Sequence, residues 1–402
     1  MPTSTSTSTS TSTSTPLPPL PLPPGITSLY LSTPSLTHHL LTSGSPSHPL
    51  LLLLHGFPEL SFSYRYLLPT LSSLGYHVVA PDQRGAGRTT GHDTRPFSTV
   101  DLHSTTISRL VTDMVFLVDA LGHKNVACVI GHDFGAVVAG WCGVMRPDLF
   151  KSVILLSHPF KGPPLLPNST STSTFPTPTP TEDIHTTLSQ LPTPLKHYKT
   201  YYSTPLAASD LSTPLSTLPS FLHGYFYLKS GHWSGNTPHP LKSWSAEELQ
   251  HLPPYYTMPL HSTMRSIIET HMQSILTSSL TQMETWLPPS ALAVYASEYA
   301  RTGFQGMLNW YRVITSPYYT QDLLLFAGRT LDIPMLFISG EKDWGIYQEP
   351  GALEQMGKRC TRFKGSKVVV GAGHWVMQEK PEEVLQIVER FLGEVKREGM
   401  SY

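Results

Sequence analysis

Val126-Ala127-Cys128-Val129-Ile130-Gly131-His132-Asp133-Phe134-Gly135-Ala136 is the stretch on which the reading of this chain turns. Its five leading apolar residues, with β-branched ones prominent, predict a short buried strand. Gly131 and Gly135 bracket a sharp turn, and the small apolar residues through Gly140 predict the start of a helix. Strand, tight turn and helix, with glycines two before and two after the exposed position, form a nucleophile elbow, where neighbouring backbones approach closely. Serine is the usual occupant of the middle position; here it is Asp133. A serine alkoxide attacks acyl carbon, whereas a carboxylate is ionised without help and can attack a saturated carbon, leaving an ester on the protein. The plainer alternative makes Asp133 an N-cap for the helix that follows.

Outward from the elbow, strands and helices alternate. Strands are predicted at Ser28–Ser32, Thr37–Thr42 and Leu50–Leu54, the last ending in His55-Gly56-Phe57-Pro58-Glu59. A helix over Tyr64–Leu74 precedes a strand over His77–Asp82, and a helix from Val100 to Leu121 precedes the elbow strand. Ser152–Ser157 is the next strand. Gly85-Ala86-Gly87 lacks the third glycine and the Lys-Ser/Thr of a phosphate loop, so it reads as a turn. Asp82 and Arg84 read as a structural charge pair. Such alternation predicts a mainly parallel, doubly wound α/β sheet, with ligands bound beyond the carboxyl ends of the strands.

The rhythm stops at residue 160 and returns at 326. Residues 160–325 hold a Thr-Pro low-complexity loop (168–182), many aromatics and no strand alternation. Helices are predicted near Asp183–Leu191, Leu195–Tyr202, Ala246–Leu252, His261–Leu280 and Ser290–Thr302, so the region reads as an inserted helical cap. Residues 26–159 and 326–402 form the expected core. Its last elements are strands at Ile333–Gly340, running into Glu341-Lys342-Asp343, and Ser366–Val370, running into Gly371-Ala372-Gly373-His374-Trp375. An amphipathic helix, Pro381–Val395, opens with proline in its first turn. Residues 1–25 are a Ser-Thr repeat followed by Leu-Pro repeats, expected to be a disordered tail, with a Pro-rich docking ligand as the alternative.

Composition narrows the function. A net charge of −1 over 402 residues offers no footprint for nucleic acid or anionic membrane. Three cysteines, Cys128, Cys142 and Cys360, share no metal-ligand spacing and read as small hydrophobes in a reduced compartment. No secretory signal pattern, membrane-spanning run or Ser-Lys-Leu ending is found, so a soluble cytoplasmic protein without metal or cofactor is expected; the sequon at Asn168 then reads as chance.

Asp133, Asp343 and His374 each fall at the carboxyl end of a predicted strand, in the order nucleophile, acid, histidine found in α/β-hydrolases. Singly, Asp343 could be a turn former and His374 an ordinary loop histidine. The three together point to catalysis.

From Leu50 to Val395 the chain resembles the epoxide hydrolases of the α/β-hydrolase superfamily. The matching pieces are His55-Gly56-Phe57-Pro58-Glu59, Gly131-His132-Asp133-Phe134-Gly135, Arg301-Thr302-Gly303-Phe304 with Asn309-Trp310-Tyr311-Arg312, Glu341-Lys342-Asp343 and Gly373-His374-Trp375. Phe134 departs from the tryptophan more usual in that family. The resemblance implies attack by Asp133 on a small hydrophobic epoxide, giving a hydroxyalkyl ester. His374, oriented by Asp343, would then activate the water that hydrolyses it. Backbone N–H groups of Phe57 and Phe134 would hold the oxyanion, and two cap tyrosines would assist the ring oxygen. Tyr311 matches the later tyrosine; Tyr198 is placed as the earlier, with Tyr201, Tyr202, Tyr225 and Tyr227 as rivals. His55, Pro58 and Glu59 would shape the Phe57 loop, with Phe57–Pro58 a candidate cis peptide. A dehalogenase using the same aspartate is the first competing reading. It needs N–H donors for halide, which Phe134 lacks and Trp310 or Trp375 could supply. A non-catalytic small-molecule-binding protein of the same fold is the second. Oligomeric state is not legible.

Overall fold

The computed structural model describes residues 17–166, 183–275 and 277–399. Ten strands are present among them: β1 Thr27–Ser32, β2 Thr37–Ser43, β3 Leu50–Leu54, β4 His77–Pro81, β5 Val126–His132, β6 Val153–Leu156, β7 Leu195–His197, β8 Thr257–Pro259, β9 Met335–Gly340 and β10 Phe363–Val369. Eight of them make one sheet in the order β1-β2-β4-β3-β5-β6-β9-β10. The β1–β2 and β2–β4 pairs are antiparallel, and every later pair is parallel. This is the α/β-hydrolase arrangement. Every residue of β3, β4, β5 and β6 is buried, as strands covered by helices on both faces require.

Among the described residues, helices Leu67–Ser73, Ile107–Ala120, Phe134–Met145 and Pro381–Arg397 belong to this core, and Ala352–Arg359 connects β9 to β10. Two expected helices begin with a separate short 3₁₀ turn, Ser61–Tyr64 and Leu102–Thr105. Between β6 and β9 lies the inserted, mostly helical segment. Its sequence hid one feature: β7 and β8 pair antiparallel, and the helix expected from Leu195 begins only at Tyr198. The helix expected over His261–Leu280 is two, Met264–Met272 and Thr277–Met283. No helix among the described residues is long and apolar enough to cross a membrane.

Two further expectations need correction. The expected disordered tail spans residues 1–25; its first sixteen residues lie outside those described, as does the low-complexity loop from 168 to 182. Residues 17–25, however, lie against the core: Leu20 and Leu22 pack on it, and the Pro18 carbonyl accepts from Arg88 Nη2 at 2.8 Å. The leucines supply apolar surface that a Ser-Thr repeat lacks. Asp82 and Arg84, in turn, do not pair. Asp82 bonds His39 Nδ1 at 2.7 Å and accepts the N–H groups of Ser61 and Arg88, both at 2.9 Å. Arg84 forks onto Asp113, with both bonds at 2.7 Å.

Burial opposes the Asp82 charge, but His39 and the amide donors outweigh it and hold the carboxyl well below the ordinary range. A carboxylate depressed on folding contributes stability that is full above about pH 4 and lost as pH falls toward its folded value. Asp82→Asn should therefore destabilise the protein by about 2–4 kcal/mol at pH 7 in urea unfolding. The deficit should shrink when the titration is repeated below about pH 3. A deficit independent of pH would contradict the assignment.

Candidate active site

The elbow is built as the glycines require. A Cβ on Gly131 would come 2.1 Å from the Gly135 carbonyl oxygen, so strand and helix meet without room for a side chain. Asp133 stands between them at φ 51°, a left-handed conformation rare outside glycine. Its side chain makes no cap bond to the helix, which removes the N-cap reading. Oδ1 instead accepts the Phe57 N–H at 3.0 Å, and Oδ2 lies 3.5 Å from His374 Nε2. Phe134 is the first residue of the helix, so its amide lies outside the intrahelical ladder beside Asp133.

His374 Nδ1 is 3.0 Å from Asp343 Oδ1, and the same oxygen accepts the Gly345 N–H at 2.6 Å. An ionised carboxylate only accepts, so Nδ1 carries the proton and Nε2 presents its lone pair toward Asp133 in the neutral ring. Nε2 has no hydrogen-bond partner among the described residues. Burial works against both carboxylates. Asp133 nevertheless sits far below the ordinary carboxyl value, through His374, Lys229 and His132. Asp343 is lowered by His374 and the Gly345 amide.

The loop carrying the Phe57 amide is held from behind. Phe57–Pro58 is cis. His55 Nδ1 donates to the Gly56 carbonyl at 2.9 Å and its Nε2 accepts the Gln83 N–H at 3.0 Å. Glu59 Oε2 accepts from the Gly56 N–H at 3.2 Å and from His132 Nδ1, while Oε1 accepts from Gln378 Nε2 at 3.1 Å. His132 Nε2 donates to the His374 carbonyl at 2.7 Å. With acceptors on both ring nitrogens, His132 is an imidazolium. Burial opposes that charge, but Glu59 overcomes it and raises the ring above its ordinary value.

The tyrosines separate by what their hydroxyls do. Tyr198 donates to Gln348 Oε1 at 2.9 Å, and the Tyr311 hydroxyl donates to no acceptor among the described residues. The two rings lie 5.9 Å apart, and Tyr311 stands edge-on to Phe57 and Phe134 at 5.6 and 5.8 Å. Burial, then the Asp133 charge, pushes both phenols well above their ordinary value. Among the rivals, Tyr201 donates to Asp210, Tyr202 to Tyr225, and Tyr227 to the His232 carbonyl.

Sequence reasoning passed over three neighbours. Lys229, 4% exposed, lies over the rings of Tyr225, Tyr255, Tyr256 and Trp375 at 4.8–5.9 Å. Gln348 fixes its amide by donating Nε2 to the Gly345 carbonyl at 3.2 Å. Glu379 accepts three backbone N–H groups around His374. Only Glu379, five residues beyond His374 and two before Pro381, had a positional cue.

Fold and site together define an α/β-hydrolase with a carboxylate at the elbow. The family pattern described as alpha/beta hydrolase fold matches residues 49–179. Epoxide hydrolase B of Mycobacterium tuberculosis is 29% identical over 362 residues, covering 88% of this chain and 95% of that protein. An epoxide hydrolase from an endophytic Streptomyces superposes with a TM-score of 0.73 at 26% identity, over 93% of this chain and 97% of that one. Epoxide hydrolase A from Mycobacterium thermoresistibile gives 0.67 at 28% identity, over 91% and 98%. Over most of its length, in sequence and in fold, the chain is similar to epoxide hydrolases of the α/β-hydrolase superfamily.

Glu59→Gln removes the counter-charge of a buried imidazolium. His132 should then be neutral at pH 7, visible in ¹⁵N NMR of the ring, and stability should fall by about 3 kcal/mol. An unchanged ring spectrum would overturn the assignment of Glu59 as the counter-charge that keeps His132 protonated.

Proposed function

We propose that this protein hydrolyses an epoxide to a vicinal diol through an ester on Asp133. The observation that carries the reading is the division of the Asp133 carboxylate: Oδ1 on the Phe57 amide, Oδ2 toward the lone pair of His374. Oδ2, free of a hydrogen bond, attacks a ring carbon and the C–O bond breaks. Tyr311, whose proton has no acceptor among the described residues, donates it to the leaving oxygen, with Tyr198 as the second donor. Oδ1 becomes the ester carbonyl oxygen and already rests on the Phe57 N–H; the Phe134 amide completes the oxyanion site. His374 Nε2 takes a proton from water, which adds to the carboxyl carbon, while Asp343 steadies the imidazolium. Collapse expels the diol oxygen, which takes the proton from His374; the remaining acid proton passes back to the Tyr311 phenolate, leaving Asp133 a carboxylate with one oxygen derived from water.

The dehalogenase alternative needs free N–H donors for halide. Trp310 Nε1 is committed to the Arg84 carbonyl at 3.0 Å and Trp375 Nε1 to the Phe226 carbonyl at 2.8 Å, which favours the epoxide. A binding-only protein would not need a histidine with one nitrogen oriented and the other bare.

His374→Gln incubated with styrene oxide should accumulate a stoichiometric adduct on Asp133, read by intact and peptide mass spectrometry, because alkylation needs no histidine. Asp133→Asn should form none. No adduct on His374→Gln with any of a panel of epoxides would overturn the reading. Tyr311→Phe should slow adduct formation by about 10²–10⁴-fold, the usual weight of a general acid. Tyr198→Phe should cost less, its proton being held by Gln348. Equal losses would contradict that division.

A further inference from the structure

The backbone of His374 is fixed by bonds from three directions. Its N–H donates to the Lys229 carbonyl at 2.8 Å. Its carbonyl accepts from His132 Nε2 at 2.7 Å and Ser157 Oγ at 2.9 Å. The residues on either side are held by one carboxylate. Glu379 Oε2 accepts the N–H of Gly373 at 3.0 Å and of Gly231 at 2.8 Å, while Oε1 accepts the N–H of Trp375 at 3.0 Å. Gly373 and Trp375 flank the histidine; Gly231 belongs to the inserted segment. The two backbones lie in contact, since a Cβ on Gly373 would come 2.4 Å from Gly231 N.

Two acceptor oxygens meeting three amides cannot be replaced by a neutral side chain without loss. Glutamine would turn its NH₂ toward at least one N–H group, leaving a buried donor facing a donor. Alanine would orphan all three. Glu379 touches neither the expected substrate nor the reacting atoms, so it can act only through where it holds the histidine. We infer that Glu379 is the positioning residue for His374: it ties the histidine loop to the inserted segment and so sets the reach of Nε2 toward the carboxyl carbon of Asp133. The inference rests on the ester mechanism above. Burial pushes the Glu379 carboxyl up to about 7 despite its three amide donors, as expected of a group enclosed with the Asp343 charge nearby.

A positioning role predicts an uneven loss. Alkylation requires Asp133 and the tyrosines, whereas ester hydrolysis requires His374 in place. In single-turnover quench-flow with styrene oxide, Glu379→Gln should form the Asp133 adduct within about threefold of the parent rate and hydrolyse it about 10–100-fold more slowly, the scale of a misplaced catalytic group. The adduct should therefore build up in the steady state. Glu379→Asp keeps both acceptor oxygens on a shorter stem and should recover part of the hydrolysis rate; it also carries the test should Glu379→Gln fail to fold. Equal slowing of both steps, or no change in either, would overturn the inference. If His374→Gln traps the adduct and neither Glu379 variant does, this inference alone fails; if His374→Gln traps none, the mechanism beneath it fails.

Discussion

The bond from the Phe57 N–H to Asp133 Oδ1 is the contact on which the rest of the site depends. A buried carboxylate without partners would take up a proton and lose its nucleophilicity. Here the amide engages one oxygen, the Lys229 and His132 charges favour the ionised form, and the second oxygen lies 3.5 Å from His374 Nε2. Reaching this pose costs a left-handed backbone at a residue with a Cβ, an expense of about 1–3 kcal/mol. The helix behind the elbow and the close-packed strand ends hold it there.

Two buried histidines beside that carboxylate share a chemistry and differ in function because of their acceptors. His132 meets an acceptor at each nitrogen, the Glu59 carboxylate and the His374 carbonyl, and is therefore a charged strut between two loops. His374 meets an acceptor at Nδ1 only. The missing second acceptor is what leaves a lone pair for proton transfer. A strut and a proposed base thus differ by one hydrogen bond.

The middle of the sheet was legible because β3, β4, β5, β6 and β9 are mostly apolar runs, and Asp133, Asp343 and His374 followed because each lies shortly after the carboxyl end of a strand. The 160–325 region was less legible. β7 and β8 are three residues each, too short for a period, and Pro259 argues against a strand. Asp82 and Arg84 misled through nearness in sequence: both lie past the end of β4, in the turn that follows, and each side chain reaches a different partner, His39 and Asp113. The Leu-Pro tail misled by composition: two leucines suffice to seat it. Tyr198 could be placed only by likeness, because nothing in the spacing separates it from Tyr201 or Tyr202; in the structure the three hydroxyls donate to Gln348, Asp210 and Tyr225 respectively. Glu379 looked like any acidic residue opening a terminal helix until its three amides were visible.

The Lys229–Gly231 strip carries a consequence for exchanging lids between related enzymes. It contributes the acceptor for the His374 amide and one of the amides held by Glu379, although more than 140 residues of chain separate it from that histidine. A chimera spliced at the obvious seams, just after β6 and just before β9, would import a foreign strip against the native histidine loop. Recombinants of this scaffold should therefore carry the donor's histidine loop with its lid, or retain the native strip within the graft.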